Sequence, residues 1–343
     1  MSSKFGIKRV LIMLLSLIIV LSVSACGNNN KKQADQPKEK THLNIGFLNV
    51  MDDAQVMLAY DAKMFENHGL DVDLQQFKSG TDLVKSIVNG QLDAGVLGFT
   101  NAVSWAAKGS GLKVVGGAQM GYHSMLVRAD SGIKSIADLK GKAIASQKQG
   151  STADIVLNGV VFKNAGLTRD DVNMQYVDPA ISIQSLAAGK VDAAFVFQPY
   201  EAIATATMNA KKIYEVGDVW PFPCMVVITS EQKLSSDRDA INAMLDAQKE
   251  AIDMLTNDPD KAASYLAKRF IPEGKLQDEN GKEYDAVKLI SDAAAAQTFN
   301  WQITPDQEKR MQEVADMMLD QGIIKEKLDV KSILDLTWQN AQK

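Results

Sequence analysis

Ser151 and Thr152 set two adjacent hydroxyls in the stretch Gln147-Lys148-Gln149-Gly150-Ser151-Thr152, between the apolar Ile144-Ala145 and an apolar-periodic run. A hydroxyl residue at such a start caps the first helical turn through its side-chain oxygen. The same place offers free backbone N–H groups and the positive end of the helix dipole to an anionic or polar ligand. Two readings are open for this turn: an ordinary capped helix, or one jaw of a ligand cleft. Carboxylates stand at comparable places. Asp52 and Asp53 precede an apolar-periodic run from Ala54, and Asp178 precedes Pro179 after a short strand. They cap helices, or they offer acceptors to the N–H or ammonium groups of a ligand.

Other chemistries lack their residues. His42, His68 and His123 are widely separated, and no pair has metal-ligand spacing. The two cysteines, Cys26 and Cys224, cannot make a zinc site and are not expected to pair. No G-x-S-x-G, H-E-x-x-H or Walker A sequence occurs. The expectation is a protein without metal, cofactor or catalytic residues. A net charge of −5 argues against a general nucleic-acid binder.

These turns need elements to hold them. With 343 residues, 46% hydrophobic and 23% charged, the chain has room for about two domains. Leu43–Leu48, Val72–Phe77, Ala94–Leu97 and Val114-Val115 read as strands, and Ala54–Asn67, Asp82–Asn89 and Ala102–Lys108 as helices between them. Such alternation implies a parallel sheet with right-handed crossovers, and ligands bind such sheets at the carboxyl ends of their strands. Met125–Arg128, Asn173–Val177 and Val191–Phe197 continue as strands, with a helix over Ile181–Ala188. Gly90-Gln91-Leu92-Asp93-Ala94 and Gly189-Lys190-Val191-Asp192-Ala193 repeat one pattern about 100 residues apart, which indicates two similar α/β lobes. Lys212–Val216 and Met225–Thr229 are further strands. Helical spacing then recurs over Asp239–Thr256, Pro259–Phe270, Tyr284–Phe299, Pro305–Gly322 and Val330–Asn340, while Ile271–Glu283 reads as a polar surface loop.

The first residues have another job. Lys4, Lys8 and Arg9 form a basic region ahead of the mostly apolar Val10–Val23, a signal-peptide pattern too short for a stable membrane span. Leu21-Ser22-Val23-Ser24-Ala25-Cys26 resembles the bacterial lipobox, in which the cysteine thiol takes a lipid and becomes the first mature residue. Loss of residues 1–25 would move the net charge from −5 to −8 by removing three basic side chains. Residues 26–42 are almost free of apolar side chains and are expected to be a flexible tether. The folded part is thus expected at the extracytoplasmic face of the cell membrane, held there by its lipid.

The blocks GLDVDL, SGTDLV, GQLDAGVLG, DSGIKSIADLKGKAIA, GSTADIVL and GKVDAAFVFQPY make the chain similar to the NitT/TauT family of substrate-binding proteins of ABC importers. The resemblance covers Leu43–Thr229 and implies an α/β, type II periplasmic-binding-protein fold: two lobes with parallel-core sheets, a hinge of two crossovers, and C-terminal helices on lobe one. It implies lobe one over 43–122 and 224–343 and lobe two over 123–223. It further implies a small-molecule ligand between the lobes, an ABC permease and its ATPase as partners, and a monomer. On that plan the ligand-lining turns are Asn49, Asp52 and Asp53; Ser79, Gly80 and Thr81; and Phe99, Thr100 and Asn101 from lobe one. From lobe two come Gln149, Gly150, Ser151 and Thr152, with Asp178 and Gln198; Tyr122, His123 and Trp220 lie at the hinge. Carboxylates at the cleft count against a bare inorganic anion, with nitrate kept as an alternative ligand. They suit a ligand with both an acceptor-rich end and an N–H end, as in a taurine-like aliphatic sulfonate or an aminopyrimidine of the thiamine-precursor type. A pyrimidine-synthase-like enzyme would need a Cys-rich metal motif, which Cys224 alone does not supply, and a sensor lipoprotein is the remaining alternative.

Overall fold

Leu43, Ile45 and Phe47, at every second position, are buried along one face of the first strand of a computed structural model that describes residues 40–342. The expected signal peptide, Cys26 and most of the expected tether lie outside the described residues. Strand β1 (Thr41–Leu48) takes in the last two tether positions, because Thr41 pairs with Leu70 and extends the ladder two residues ahead of Leu43. A 3-10 turn over Met51–Asp53 leads into α1 (Ala54–Asp61). The single helix expected over Ala54–Asn67 is two, since Lys63 takes a left-handed conformation with φ 59° and α2 (Met64–Asn67) starts after it. Next come β2 (Leu70–Phe77), α3 (Gly80–Val88), β3 (Ala94–Gly98), α4 (Phe99–Ala106) and β4 (Leu112–Met120). Helix α4 begins three residues ahead of the expected Ala102, with Gly98 as its N-cap, so Thr100 and Asn101 sit inside its first turn.

After Gly121–His123 the chain builds a second sheet from β5 (Ser124–Arg128), β6 (Ala143–Ser146), β7 (Asn173–Tyr176), β8 (Ala193–Val196) and β9 (Ala210–Glu215). Its helices are α5 (Thr152–Val156), continued by a π-helical segment Leu157–Phe162, then α6 (Pro179–Ala187) and α7 (Tyr200–Thr207). The short α8 (Val216–Val219) leads back to β10 (Pro223–Ser230) in the first sheet.

The two sheets have strand orders β2-β1-β3-β10-β4 and β7-β6-β8-β5-β9. Each has a parallel core, β2-β1-β3 or β7-β6-β8. In each, the strand that enters from the other sheet is the antiparallel one: β10 against β3 and β4, β5 against β8 and β9. Neither entering strand follows a crossover helix within its own sheet, so the parallel rule does not bind it.

The C-terminal part is α9 (Glu231–Asn257), α10 (Pro259–Phe270), β11 (Lys275–Gln277), β12 (Glu283–Asp285), α11 (Ala286–Ala295), α12 (Pro305–Asp320) and α13 (Thr337–Ala341). Asp237 is non-helical inside α9, which is why spacing placed the helix start at Asp239. The expected loop over Ile271–Glu283 contains an antiparallel hairpin, β11 with β12. The C-terminal helices do not all keep to the first sheet. Helix α12 packs on α4 and β10, yet it also reaches α5, where Gln321 Nε2 donates to the Ile155 carbonyl at 3.0 Å. Met317 lies against Gly159 of the π-helical segment, where a Cβ would come within 2.4 Å of its sulfur. The absence of a side chain there is what lets α12 lie across both halves.

Candidate ligand-binding cleft

Three helix N-termini meet because the residues between them are small. A Cβ on Gly80, at the start of α3, would come within 2.8 Å of the Asn101 amide in α4. A Cβ on Gly98 would stand 2.9 Å from Thr152 Oγ1 in α5. Thr100 and Thr152, one from each half of the molecule, share a buried hydrogen bond of 2.7 Å between their hydroxyls. The N–H groups of a helix's first turn have no partner within the helix, and no side chain caps α4 at Gly98. This corner therefore gathers two hydroxyls bonded to each other, an amide and the uncapped first-turn N–H groups of α4.

Asp154 holds the second-half turn in place. Its carboxylate, 1% exposed, accepts from Gly150 N at 2.8 Å, from the Arg169 guanidinium at 2.7 and 2.8 Å, and from the Tyr176 hydroxyl at 3.1 Å. Ser151 Oγ accepts from Asp154 N at 3.3 Å and is the helix cap.

The hinge end is different in character. His123 is buried, with the rings of Phe195, Phe197 and Phe222 at 5.7, 5.9 and 6.5 Å. Its Nδ1 has no hydrogen-bond partner, and burial pushes the imidazole down to about 4, so it is neutral at pH 7. Beside it, the Ser124 hydroxyl contacts the carboxylates of both Glu201 and Glu215. The hydroxyl and the Lys212 ammonium are the donors that these two carboxylates share. Burial raises Glu215 above the usual carboxylate range, against the lowering effect of its bond from Ser124. Lys212 Nζ lies 2.9 Å from Glu201 and 3.5 Å from Glu215.

From the first sheet, the 3-10 turn brings Asp52 and Asp53, both buried. Asp53 Oδ2 accepts from Leu48 N at 2.8 Å, which ties the turn to the end of β1, while its Oδ1 has no partner. Asp52 Oδ1 also has none; burial first, and the charge of Glu215 second, push its carboxyl up to about 8. Gln55, in the first turn of α1, is fully buried with neither amide atom partnered.

The structure thus brings together Gly80, Thr100, Asn101 and Thr152. Asp52 belongs to the turn after β1, and His123, beside Ser124, to the crossover between the two sheets. The remaining residues named from the sequence lie elsewhere or are engaged. The Phe99 ring is part of the core. Asn49 Nδ2 donates to the Arg269 carbonyl at 3.2 Å, and Ser79 caps Asp82 N. Thr81, Gln149 and Asp178 are exposed. Gly150 is the bend bonded to Asp154, and Gln198 Oε1 accepts from Ala202 N at 3.2 Å. Tyr122 is bonded through its hydroxyl to Thr298 at 2.7 Å, and Trp220 packs on Phe222 and under the Arg310 guanidinium, 4.9 Å from the ring centre.

Gln55, Ser124, Asp154, Glu201, Lys212 and Glu215 were not singled out by sequence reasoning. Asp154 had a signal, an acidic residue three places after a capping serine. Glu215 had none: Lys211-Lys212-Ile213-Tyr214-Glu215 reads as a solvated strand end. Among the described residues, no group of three or more His, Cys, Asp or Glu side chains is arranged to hold a metal ion.

A model of the NMT1-like family matches residues 36–270. A binding protein of Brucella abortus (strain 2308) is 28% identical over 283 residues, covering 80% of this chain and 83% of its own length. An aliphatic sulfonates-binding protein of Bacillus subtilis (strain 168) is 25% identical over 340 residues, 96% of each chain. Among solved structures, the alkanesulfonate-binding protein SsuA from Xanthomonas axonopodis pv. citri, bound to MOPS, superposes with a TM-score of 0.72 at 21% identity, covering 87% of this chain and 99% of that one. That likeness shows the fold, a two-lobed type II periplasmic-binding-protein architecture, in accord with the two sheets and their exchanged strands. With a family match over well above half its length, the chain belongs to the NMT1-like family.

Proposed function

We propose that the protein is an extracytoplasmic solute-binding lipoprotein that captures a small polar organic ligand between its lobes and delivers it to an ABC importer. The carrying observation is the Thr100–Thr152 contact, which joins helix N-termini from the two halves over a hinge lined with unpartnered polar atoms. Lobe one would comprise 43–122 and 224–343, and lobe two 123–223. Closure about the two crossovers would enclose the ligand. The names of the relatives from Bacillus subtilis and Xanthomonas support an aliphatic sulfonate, and the hydroxyl-rich turns suit its oxygens.

A binding role rather than catalysis is supported by Cys224. Its thiol is buried and held well above its ordinary range by burial and by Asp52 and Asp53, the reverse of an activated nucleophile. No described helix is long and apolar enough to cross a membrane. Attachment would come from lipid on Cys26, with a permease and its ATPase as partners and the protein itself a monomer.

Ligand that binds only the folded state raises its melting temperature by mass action. A thermal-shift panel of taurine, alkanesulfonates, nitrate and aminopyrimidines tests the reading. A concentration-dependent rise with a sulfonate or a pyrimidine is expected; no response of the folded, ligand-stripped protein to any of them overturns it.

A further inference from the structure

We propose that α12 is a strap across the hinge whose far end, Met317 and Gln321, holds the second lobe in the closed arrangement, so that opening has to release it. The inference rests on the reading of the two halves as lobes that close, and goes beyond it by naming what sets the balance between closed and open.

Its first support is the way α12 divides its surface. Met311, Val314, Ala315 and Met318, at three- and four-residue spacing, form the buried stripe of a helix that packs on α4 and β10 of the first half. Arg310, Met317 and Gln321 follow at intervals of seven and four residues and share a neighbouring face. The contacts of that face leave the first half. The Arg310 guanidinium lies 4.9 Å from the ring centre of Trp220, in the second crossover. Gln321 Nε2 donates to the Ile155 carbonyl at 3.0 Å, and Met317 lies against Gly159.

The second support is the seat that lobe two provides. A Cβ on Gly159 would overlap the Met317 sulfur and stand 3.2 Å from Gln321 Nε2, so one bare position receives both strap residues. Gly159 belongs to a π-helical segment, a local irregularity that recurs at functional positions of helices. The chain just past α12 reaches the candidate ligand turn as well. A Cβ on Gly150 would meet Ile323 Cδ1 at 3.7 Å, and Gly150 is the residue whose N–H Asp154 holds next to Ser151.

The third support is leverage. From Arg310 to Gln321 the helix runs ~16 Å at 1.5 Å per residue. A turn of lobe two by about 10° at the crossovers shifts the contact at the end of that arm by roughly 3 Å, enough to part the Gln321 bond. Between the two contact points lies a groove of about 320 Å³, with Trp220, Lys163, Asn164 and Asp316 among its lining residues. The seam therefore has room to move while the stripe on α4 and β10 stays in place. The Gln321–Ile155 bond joins the same two halves, in the same arrangement, as the Thr100–Thr152 bond. Loss of either shifts the population toward the open form.

The test is the distance between the lobes without ligand, read by pulsed electron paramagnetic resonance. Spin labels are placed at Lys85→Cys and Gln184→Cys, exposed and corresponding positions on α3 and α6, in a Cys26→Ala background that leaves only the buried Cys224. The wild-type strap should give a closed and an open population. Met317→Ala with Gln321→Ala should lower the closed fraction by about threefold or more, as loss of one hydrogen bond and its packing implies. Should that double variant not fold, Gly159→Val, which wedges the seam from the other lobe, is read in its place. An unchanged or larger closed fraction in the folded variant overturns the strap and leaves the import reading standing, as does a wild-type strap with no closed population before ligand is added. A single fixed distance, with and without the compound that most raises the melting temperature, overturns both the strap and the closing of the lobes.

Discussion

The hydroxyls of Thr100 and Thr152 lie 2.7 Å apart across the two halves of the molecule, one in the first turn of α4 and the other at the start of α5. The two residues stand 52 positions apart in sequence, so the bond joins segments that only the fold brings together. Thr152→Val keeps the shape and removes the bond, for a cost of about 1 kcal/mol to the closed form. Calorimetry should show ligand affinity reduced roughly fivefold, with the melting temperature within a few degrees of wild type. Unchanged affinity would remove this contact from the closing mechanism.

Gly98→Ala tests the same contact sterically. The backbone at Gly98 is one that alanine adopts, with φ −58° and ψ 130°, so the strain lies in the 2.9 Å approach to Thr152 Oγ1. The expected outcome is weaker ligand binding with normal folding, seen as a scattering radius that shrinks less on ligand addition than in wild type.

The carboxyl cluster predicts a pH dependence. Asp52 is raised from 3.8 to about 8 by burial and by Glu215. A carboxyl with a raised folded-state value holds its proton more tightly when folded, so its contribution to stability falls as pH climbs through that interval. Asp53 and Glu215 are raised as well and act in the same direction. Cys224 and Lys212, also in the cluster, are raised from starting values of 9.0 and 10.5 and so titrate at higher pH. His123, lowered from 6.5 to about 4, acts oppositely, and only below pH 6.5. Between pH 6.5 and 8 the melting temperature of ligand-free protein should therefore fall, and Asp52→Asn should flatten the slope. An equal slope in the variant would contradict the assignment.

Arg169→Met leaves the Asp154 carboxylate buried without its guanidinium partner. The loss should be about 2–4 kcal/mol, measurable as a lower urea midpoint at unchanged m-value. Because Asp154 also holds Gly150 N, affinity should fall too.

Cys26→Ala tests the anchor. The exported variant should move from the membrane fraction to the soluble one. An exported variant that stays with the membranes would exclude lipidation at this residue.

Strand alternation and the paired G-x-x-D-A segments made the two α/β halves legible in the sequence, because burial period and turn chemistry are local signals. Both Asp93 and Asp192, the aspartates of that repeat, do the same work: each accepts a backbone N–H from the neighbouring strand, of Asn44 at 2.8 Å and of Ala143 at 2.9 Å. The insertion of β10 and β5 as antiparallel strands was not legible, since pairing partners far apart leave no local mark. The helix starts at Ser151-Thr152 and Thr100-Asn101 were readable from residue type and spacing. The hinge end was not. Glu215 and Ser124 meet through the pairing of β9 with β5, and Gln55 looks like any polar residue of an exposed helix until α1 is seen to be buried. Asp178 and Gln149 occupy such turns too and face solvent.

The most direct test is a crystal structure of the complex with whichever panel compound raises the melting temperature most. That compound should lie enclosed between the lobes, its acceptor-rich end against Thr100, Asn101 and Thr152. A compound bound outside that space would contradict the proposed function.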